Sequence, residues 1–203
     1  KTPIFSGHLI WYTLMELLHL KNDGYIKDTL TKELFSNLRE ESMRCERNTD
    51  FSTGIDDIGF TCPHYNLSED NKKQLFEFLT PYISKYDDNY HYIKELKFLS
   101  QSSPWVFDDP WYNLQTPMSY LPSHTHDGVL SYTVWLKLPP RSRFTFVYSS
   151  ITGKLYYHDI ILTPKDEGKF IIFPSTLNHM VDPYKGDVNE VRISVAGNIC
   201  LRG

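Results

Sequence analysis

Leu130-Ser131-Tyr132-Thr133-Val134-Trp135-Leu136-Lys137-Leu138 alternates with a period of two. Leu130, Tyr132, Val134, Leu136 and Leu138 fall on one side, and Ser131, Thr133, Trp135 and Lys137 on the other. Successive side chains of a strand point to opposite faces, so this stretch reads as a β-strand with two different faces. The segments after it repeat the theme. Phe144, Phe146 and Tyr148 alternate likewise, and Ile151-Thr152-Gly153-Lys154 has the chemistry of a hairpin turn leading into Leu155–Leu162. Lys169–Phe173 is a short apolar run stopped by Pro174, and Val191–Ile199 reads as a closing strand. Short strands at this spacing predict an antiparallel sandwich or barrel. An aromatic content of 15% agrees, because flat rings fill pleated surfaces well.

Upstream of residue 100 the texture changes. Ile26, Leu30, Leu34 and Leu38 recur every four residues, one stripe of an amphipathic helix, and Asn22-Asp23-Gly24 is placed to turn and cap it. A second helix is expected from Ser68, with Glu69 and Asp70 in the first turn, where negative charge suits the helix dipole. Leu75, Phe78, Leu79, Tyr82 and Ile83 lie on one of its faces, and Pro81 is expected to end or kink it. The expected architecture is mainly β with flanking helices (α+β). It is one domain over residues 1–203, with a helical and β support region over 1–100 and the β core over 101–203.

The 203 residues are enough for one well-buried core. A formal charge of −4 argues against a sequence-independent nucleic-acid binder. Cys45, Cys62 and Cys200 are odd in number and widely spaced, a poor disulfide framework that suits a reducing cytoplasm. The apolar stretch Leu9–Leu20 is short and interrupted by Tyr12, Thr13, Glu16 and His19, so no membrane span is expected there, and no small-residue cleavage site of a signal peptide follows it. The mixed-sign run Arg39-Glu40-Glu41 with Arg44, Glu46 and Arg47 reads as a solvated helix face.

Of eight histidines, His8, His19, His64, His91 and His158 are scattered. His124 and His126 form an H-x-H pair entering the strong strand, where i and i+2 share a face and two imidazoles can converge on one ion. His179 follows the run ending at Phe173-Pro174, and an antiparallel neighbour could bring it to the same mouth. Three imidazoles suit Fe(II), Zn(II), Ni(II) or Cu(II). An isolated H-x-H is more often a pair of loop residues. Arg192 and Ser194 share a face at the start of the last strand. An arginine pointing into a barrel needs an anion, and a bidentate carboxylate is its best match. The plainer alternative is a salt bridge to Asp182, Asp187 or Glu190.

These residues together resemble the Fe(II)- and 2-oxoglutarate-dependent oxygenases, in particular phage and bacterial members with an H-x-H opening. The resemblance rests on His124-Thr125-His126, Phe173-Pro174-Ser175, His179 and Arg192-Ile193-Ser194. Trp111-Tyr112-Asn113, Ser131-Tyr132 and the close of the chain from Arg192 to Asn198 add to it. It covers roughly Trp111 to Asn198. It implies a double-stranded β-helix, or jelly roll, with Fe(II) at its mouth held by His124, His126 and His179. It also implies 2-oxoglutarate as co-substrate, gripped by Arg192 with Ser194 as a second donor, and O2 as oxidant. The expected outcome is hydroxylation of a small molecule or protein side chain, with 2-oxoglutarate decarboxylated to succinate and no catalytic side chain beyond the metal ligands. The location implied is the cytoplasm, that of the host if the chain is phage-encoded. The usual triad of the superfamily carries a carboxylate where this chain has His126. Either the site is made of three histidines, or Asp127 swings in as the anionic ligand through a turn or bulge at Gly128.

Tyr120 and Asn113 are weaker candidates for the co-substrate pocket, with Asn198 beside them. Tyr132 and Trp135 read more simply as core, and Cys62-Pro63-His64 as a loop. Two other functions are compatible with a jelly roll: a cupin-like three-histidine metalloenzyme that does not use 2-oxoglutarate, and a non-catalytic structural or binding module.

Overall fold

The computed structural model describes residues 24–47, 64–96, 105–117, 119–187 and 189–201. Leu9–Leu20, Asn22-Asp23 and Cys62-Pro63 lie outside them. The core follows from the strand order. In chain order the strands are β1 (Ile26–Thr29), β2 (His64–Asn66), β3 (Trp105–Phe107), β4 (Trp111–Gln115), β5 (Leu121–His124), β6 (Leu130–Lys137), β7 (Ser142–Ser149), β8 (Leu155–Leu162), β9 (Lys169–Pro174), β10 (His179–Val181) and β11 (Arg192–Leu201). One sheet has the order β1-β9-β6-β11-β4-β2, with β3 also on β11, and the other has the order β5-β10-β7-β8. From β4 onward the chain therefore crosses repeatedly between two facing sheets, and every pairing is antiparallel. That winding is a double-stranded β-helix, as the resemblance implied.

Strand β6 shows why the alternation at 130–138 was informative and also incomplete. Both of its faces are buried, because each meets a different partner. Leu130, Tyr132, Val134 and Leu136 pack with Leu34, Leu38, Leu75, Leu79 and Ile83 of the helices. Trp135 turns the other way and packs between the sheets with Phe144, Phe146, Ile160 and Phe173. The hairpin at 151–154 forms as expected, closed by Ser150 N–H to Lys154 O at 2.8 Å.

The helices are α1 (Lys32–Arg47), α2 (Glu69–Tyr90) and the short α3 (Tyr92–Glu95). The four-residue recurrence of Ile26, Leu30, Leu34 and Leu38 is not one helical stripe. Ile26 lies in β1 opposite Ile172 of β9, and the helix begins only after Thr31, whose hydroxyl accepts from Leu34 N–H at 3.3 Å. A sheet edge beside β9 was available, and burial of both segments against one core satisfies the same spacing. Ser68 caps α2 as expected, accepting from Asn71 N–H. Pro81 does not end that helix. The buried stripe continues through Ile83 and Tyr86, while Pro81 and Glu77, whose carbonyl loses its donor, face solvent.

Tyr132 is 1% exposed, and its hydroxyl has no hydrogen-bond partner among the described residues. It fits only because residue 197, opposite it on β11, is glycine: a Cβ there would lie 2.6 Å from the phenol carbon. A buried hydroxyl without a partner costs stability. Tyr132→Phe is therefore expected to leave the urea midpoint unchanged or raise stability by up to about 1 kcal/mol. A loss of stability would show that the hydroxyl has an acceptor after all.

Candidate metal and co-substrate site

The site lies where β5 and β10 meet at the mouth of the two sheets. His179, first residue of β10, sits directly opposite His124, last residue of β5. His126 follows in the crossing from β5 to β6, where its N–H is held by Ser175 O at 3.0 Å. The H-x-H pair is therefore not on the strong strand itself. It straddles a strand end and the crossing that precedes that strand, and a loop brings the second imidazole inward.

One ligand atom from each of His124, His126 and His179 can be chosen so that all lie within 4.8 Å of one another. His126 Nε2 and His179 Nε2 are 3.2 Å apart. His124 Nδ1 lies 2.7 Å from Pro122 O and His179 Nδ1 lies 3.0 Å from Leu177 O. A carbonyl can only accept, so both rings donate from Nδ1 and carry a bare lone pair at Nε2. Two nitrogens at right angles about an ion, each at about 2.1 Å, are roughly 3 Å apart. The three donors suit a divalent metal in chemistry, and the His126–His179 spacing suits two ligands of one ion.

Burial keeps the His126 and His179 rings neutral. It pushes His126 down to about 4, with repulsion from His124 second and a small upward pull from Asp127. It pushes His179 down to about 3, helped again by His124 and opposed by the Leu177 carbonyl. His179 is wedged between the rings of Phe144 and Phe173. Asp127 stays outside this group. Gly128 makes the turn that the sequence allowed, at φ +112°, but that turn leaves Asp127 exposed.

A cavity of about 290 Å³ opens behind the three imidazoles. Arg192, Ser194 and Asn113 line it. Arg192 is 2% exposed. Its Nε–H donates to Gln115 Oε1 at 2.9 Å, its Nη2 to the backbone oxygen of Asp182 at 3.0 Å, and its guanidinium lies 5.1 Å from the Tyr184 ring centre. The Asp182 carboxylate pairs with Arg143. Asn113 Oδ1 accepts from Trp111 Nε1 at 3.2 Å.

Two candidates lie elsewhere. Tyr120 is 54% exposed and is not among the residues lining the cavity, because it sits in the connection before β5 and not on a strand face. Asn198 is buried outside the cavity lining. Its Oδ1 accepts from Ser131 Oγ, which also meets Ser175 Oγ, both at 2.9 Å. Those motif residues tie β6 and β11 to the Ser175 turn that holds His126. Conversely, Trp135 reads as core but also lines the cavity, as do His64, Trp111, Arg143 and Gln115. Gln115 had no sequence signal, because its role depends on facing Arg192 across β4 and β11.

Fold and site together define a jelly-roll protein with three histidines at its mouth and a buried arginine lining the cavity behind them. Residues 109–198, which hold His124, His126, His179, Arg192, Ser194 and Gln115, match the family model described as "Putative 2OG-Fe(II) oxygenase". The cofactors of that family are Fe(II) and 2-oxoglutarate. No curated protein sequence matches the chain. Among solved structures, a Pseudomonas putida prolyl-4-hydroxylase superposes with a TM-score of 0.63 at 13% identity, covering 89% of this chain and 94% of that one. The non-heme alpha ketoglutarate dependent epimerase SnoN from nogalamycin biosynthesis gives 0.60 at 16%, covering 86% and 76%. The viral collagen prolyl hydroxylase of Paramecium Bursaria Chlorella virus-1, in its 2OG complex, gives 0.52 at 13%, covering 86% and 94%. At these identities the likeness speaks for the fold, and the fold is the double-stranded β-helix.

Proposed function

We propose that this chain is an Fe(II)- and 2-oxoglutarate-dependent oxygenase that hydroxylates a small molecule or a protein side chain. The observation that carries the reading is the placing of three imidazoles and a buried arginine in one cavity. His124, His126 and His179 would hold the metal. Arg192 would bind the far carboxylate of 2-oxoglutarate through charge-assisted hydrogen bonds, with Ser194 beside it. When bound, Fe(II) with 2-oxoglutarate and O2 supplies oxidative decarboxylation to succinate and the oxidising power that functionalises a C–H bond.

The chain's own part is binding and exclusion. The Pro122 and Leu177 carbonyls hold two of the imidazoles in the right tautomer and orientation. Phe144, Phe173 and Trp135 make the space between the sheets apolar, and a low local dielectric would strengthen the arginine's grip on an anion. Three neutral ligands leave the metal ion with one more positive charge than the usual carboxylate-containing set. Weaker metal binding and stronger attraction for the dianionic co-substrate follow. The free thiols Cys45 and Cys200 suit the cytoplasm as its place of work. No helix among the described residues is long and apolar enough to cross a membrane.

Anaerobic titration of the purified protein with Fe(II) and then 2-oxoglutarate tests the reading through the visible charge-transfer band of the chelate and, on admitting O2, through release of succinate. In Arg192→Met the metal is expected to bind unchanged while 2-oxoglutarate binds about 10- to 100-fold more weakly, the value of a hydrogen-bonded charge. Metal binding without any affinity for 2-oxoglutarate would transfer the assignment to a cupin-like three-histidine enzyme. Failure to bind any divalent metal would leave a structural or binding module.

A further inference from the structure

Gln115 is 2% exposed, lines the cavity and presents one half of its amide without a partner. The orientation of that amide is set by Arg192. The arginine Nε–H can only donate, so the atom facing it at 2.9 Å must be Oε1. Nε2 is then turned away from the arginine, buried, and without a hydrogen-bond acceptor among the described residues. The backbone that carries this amide is held on both sides. Gln115 is paired backbone to backbone with Arg192 across β4 and β11, and the single hydroxyl proton of Tyr184 is shared between Gln115 O at 2.9 Å and Glu190 O at 2.7 Å. A buried amide donor held in place beside a cation is complementary to an anion with several lone pairs.

We propose that Gln115 is a co-substrate-binding residue. Oε1 holds the Arg192 guanidinium in its plane, while Nε2–H donates to the far carboxylate of the 2-oxo acid, so that residue 115 selects a carboxylate over a neutral amide at that end. The inference rests on the oxygenase reading and deepens it. It assigns a donor on β4, a strand that the arginine-centred reading left with only Asn113.

The test compares two ligands on one protein. Binding of 2-oxoglutarate and of its 5-carboxamide is measured by calorimetry on the Mn(II)-loaded protein without O2, in wild type, Q115L and Q115E. Wild type is expected to prefer the diacid. Q115L should bind 2-oxoglutarate about tenfold more weakly with Mn(II) affinity unchanged, the loss of one such hydrogen bond. Q115E still accepts from Arg192 but has lost the donor and gained an anion. Its preference should shift toward the carboxamide by at least about tenfold relative to wild type, since the ligand amide can now donate to it. A residue that merely positioned Arg192 would weaken both ligands together, and an unchanged ratio in Q115E with normal wild-type binding overturns this inference alone. Wild-type protein that binds Mn(II) but not 2-oxoglutarate overturns the oxygenase reading and this one with it.

Discussion

His179→Ala is expected to lower Fe(II) or Zn(II) affinity by at least about 100-fold and to abolish 2-oxoglutarate turnover. Loss of groups that only orient a metal ligand already costs 10- to 100-fold, so loss of a ligand should exceed that (about two orders of magnitude is a lower bound). The fold should survive, because the strand pairing of β10 with β5 and β7 is made by backbone groups. Some stability is lost, since His179 is 3% exposed and packs on Phe144 and Phe173. His124→Ala separates the two effects. That imidazole is less buried, so its removal should cost the metal with little change in the urea midpoint. Metal affinity within threefold of wild type in either variant would place the ion elsewhere.

The metal-free protein should lose stability steeply as pH falls from about 6.5 toward 4. In the unfolded chain a histidine takes up its proton near the usual value of about 6.5. In the folded protein burial holds His126 down to about 4 and His179 down to about 3. Between those values the unfolded state binds more protons, so stability rises with pH through this window. It is fully present above about 6.5 and is lost as pH falls toward the two folded values. A tenfold difference in proton affinity between the folded and unfolded chain is worth about 1.4 kcal/mol, so the pair amounts to several kcal/mol even after discounting for the partial exposure of His126. That is a large part of a total of about 5–15 kcal/mol for a domain. Zn(II) should add stability above the window and be released within it, steepening the transition, because only neutral imidazole binds the ion. Urea midpoints measured at half-unit pH steps provide the check, and a flat profile between about pH 6.5 and 4.5 would mean that the imidazoles are solvated in the folded state.

Much of the fold was legible because its signals are local. Period-two alternation marked β6 and β7, the Thr152-Gly153 turn marked the hairpin, and Ser68 with Glu69 and Asp70 marked the start of α2. The misreadings arose where one spacing serves two structures. Ile26 is four residues from Leu30, but it could gain more by adding to the edge of β9 than by extending a helix that Thr31 was ready to begin. Pro81 broke a local rule and was overruled by the buried stripe on either side of it.

At the site, the chemistry of the residues was determined by the sequence alone: three histidines able to ligate a metal, an arginine able to hold a carboxylate, and an order along the chain that resembles an oxygenase. Which of them meet was decided by the tertiary structure. His124 and His179 are neighbours because β5 and β10 pair, and Asp127 is exposed at the turn that Gly128 makes. Tyr120 falls outside the cavity lining, whereas Gln115 is placed against Arg192 by the register of β4 and β11, which no spacing along the chain encodes. A side chain's chemistry is carried by the residue itself. Its partner is set by long-range pairing, and that pairing is fixed only when the two sheets close on a common core.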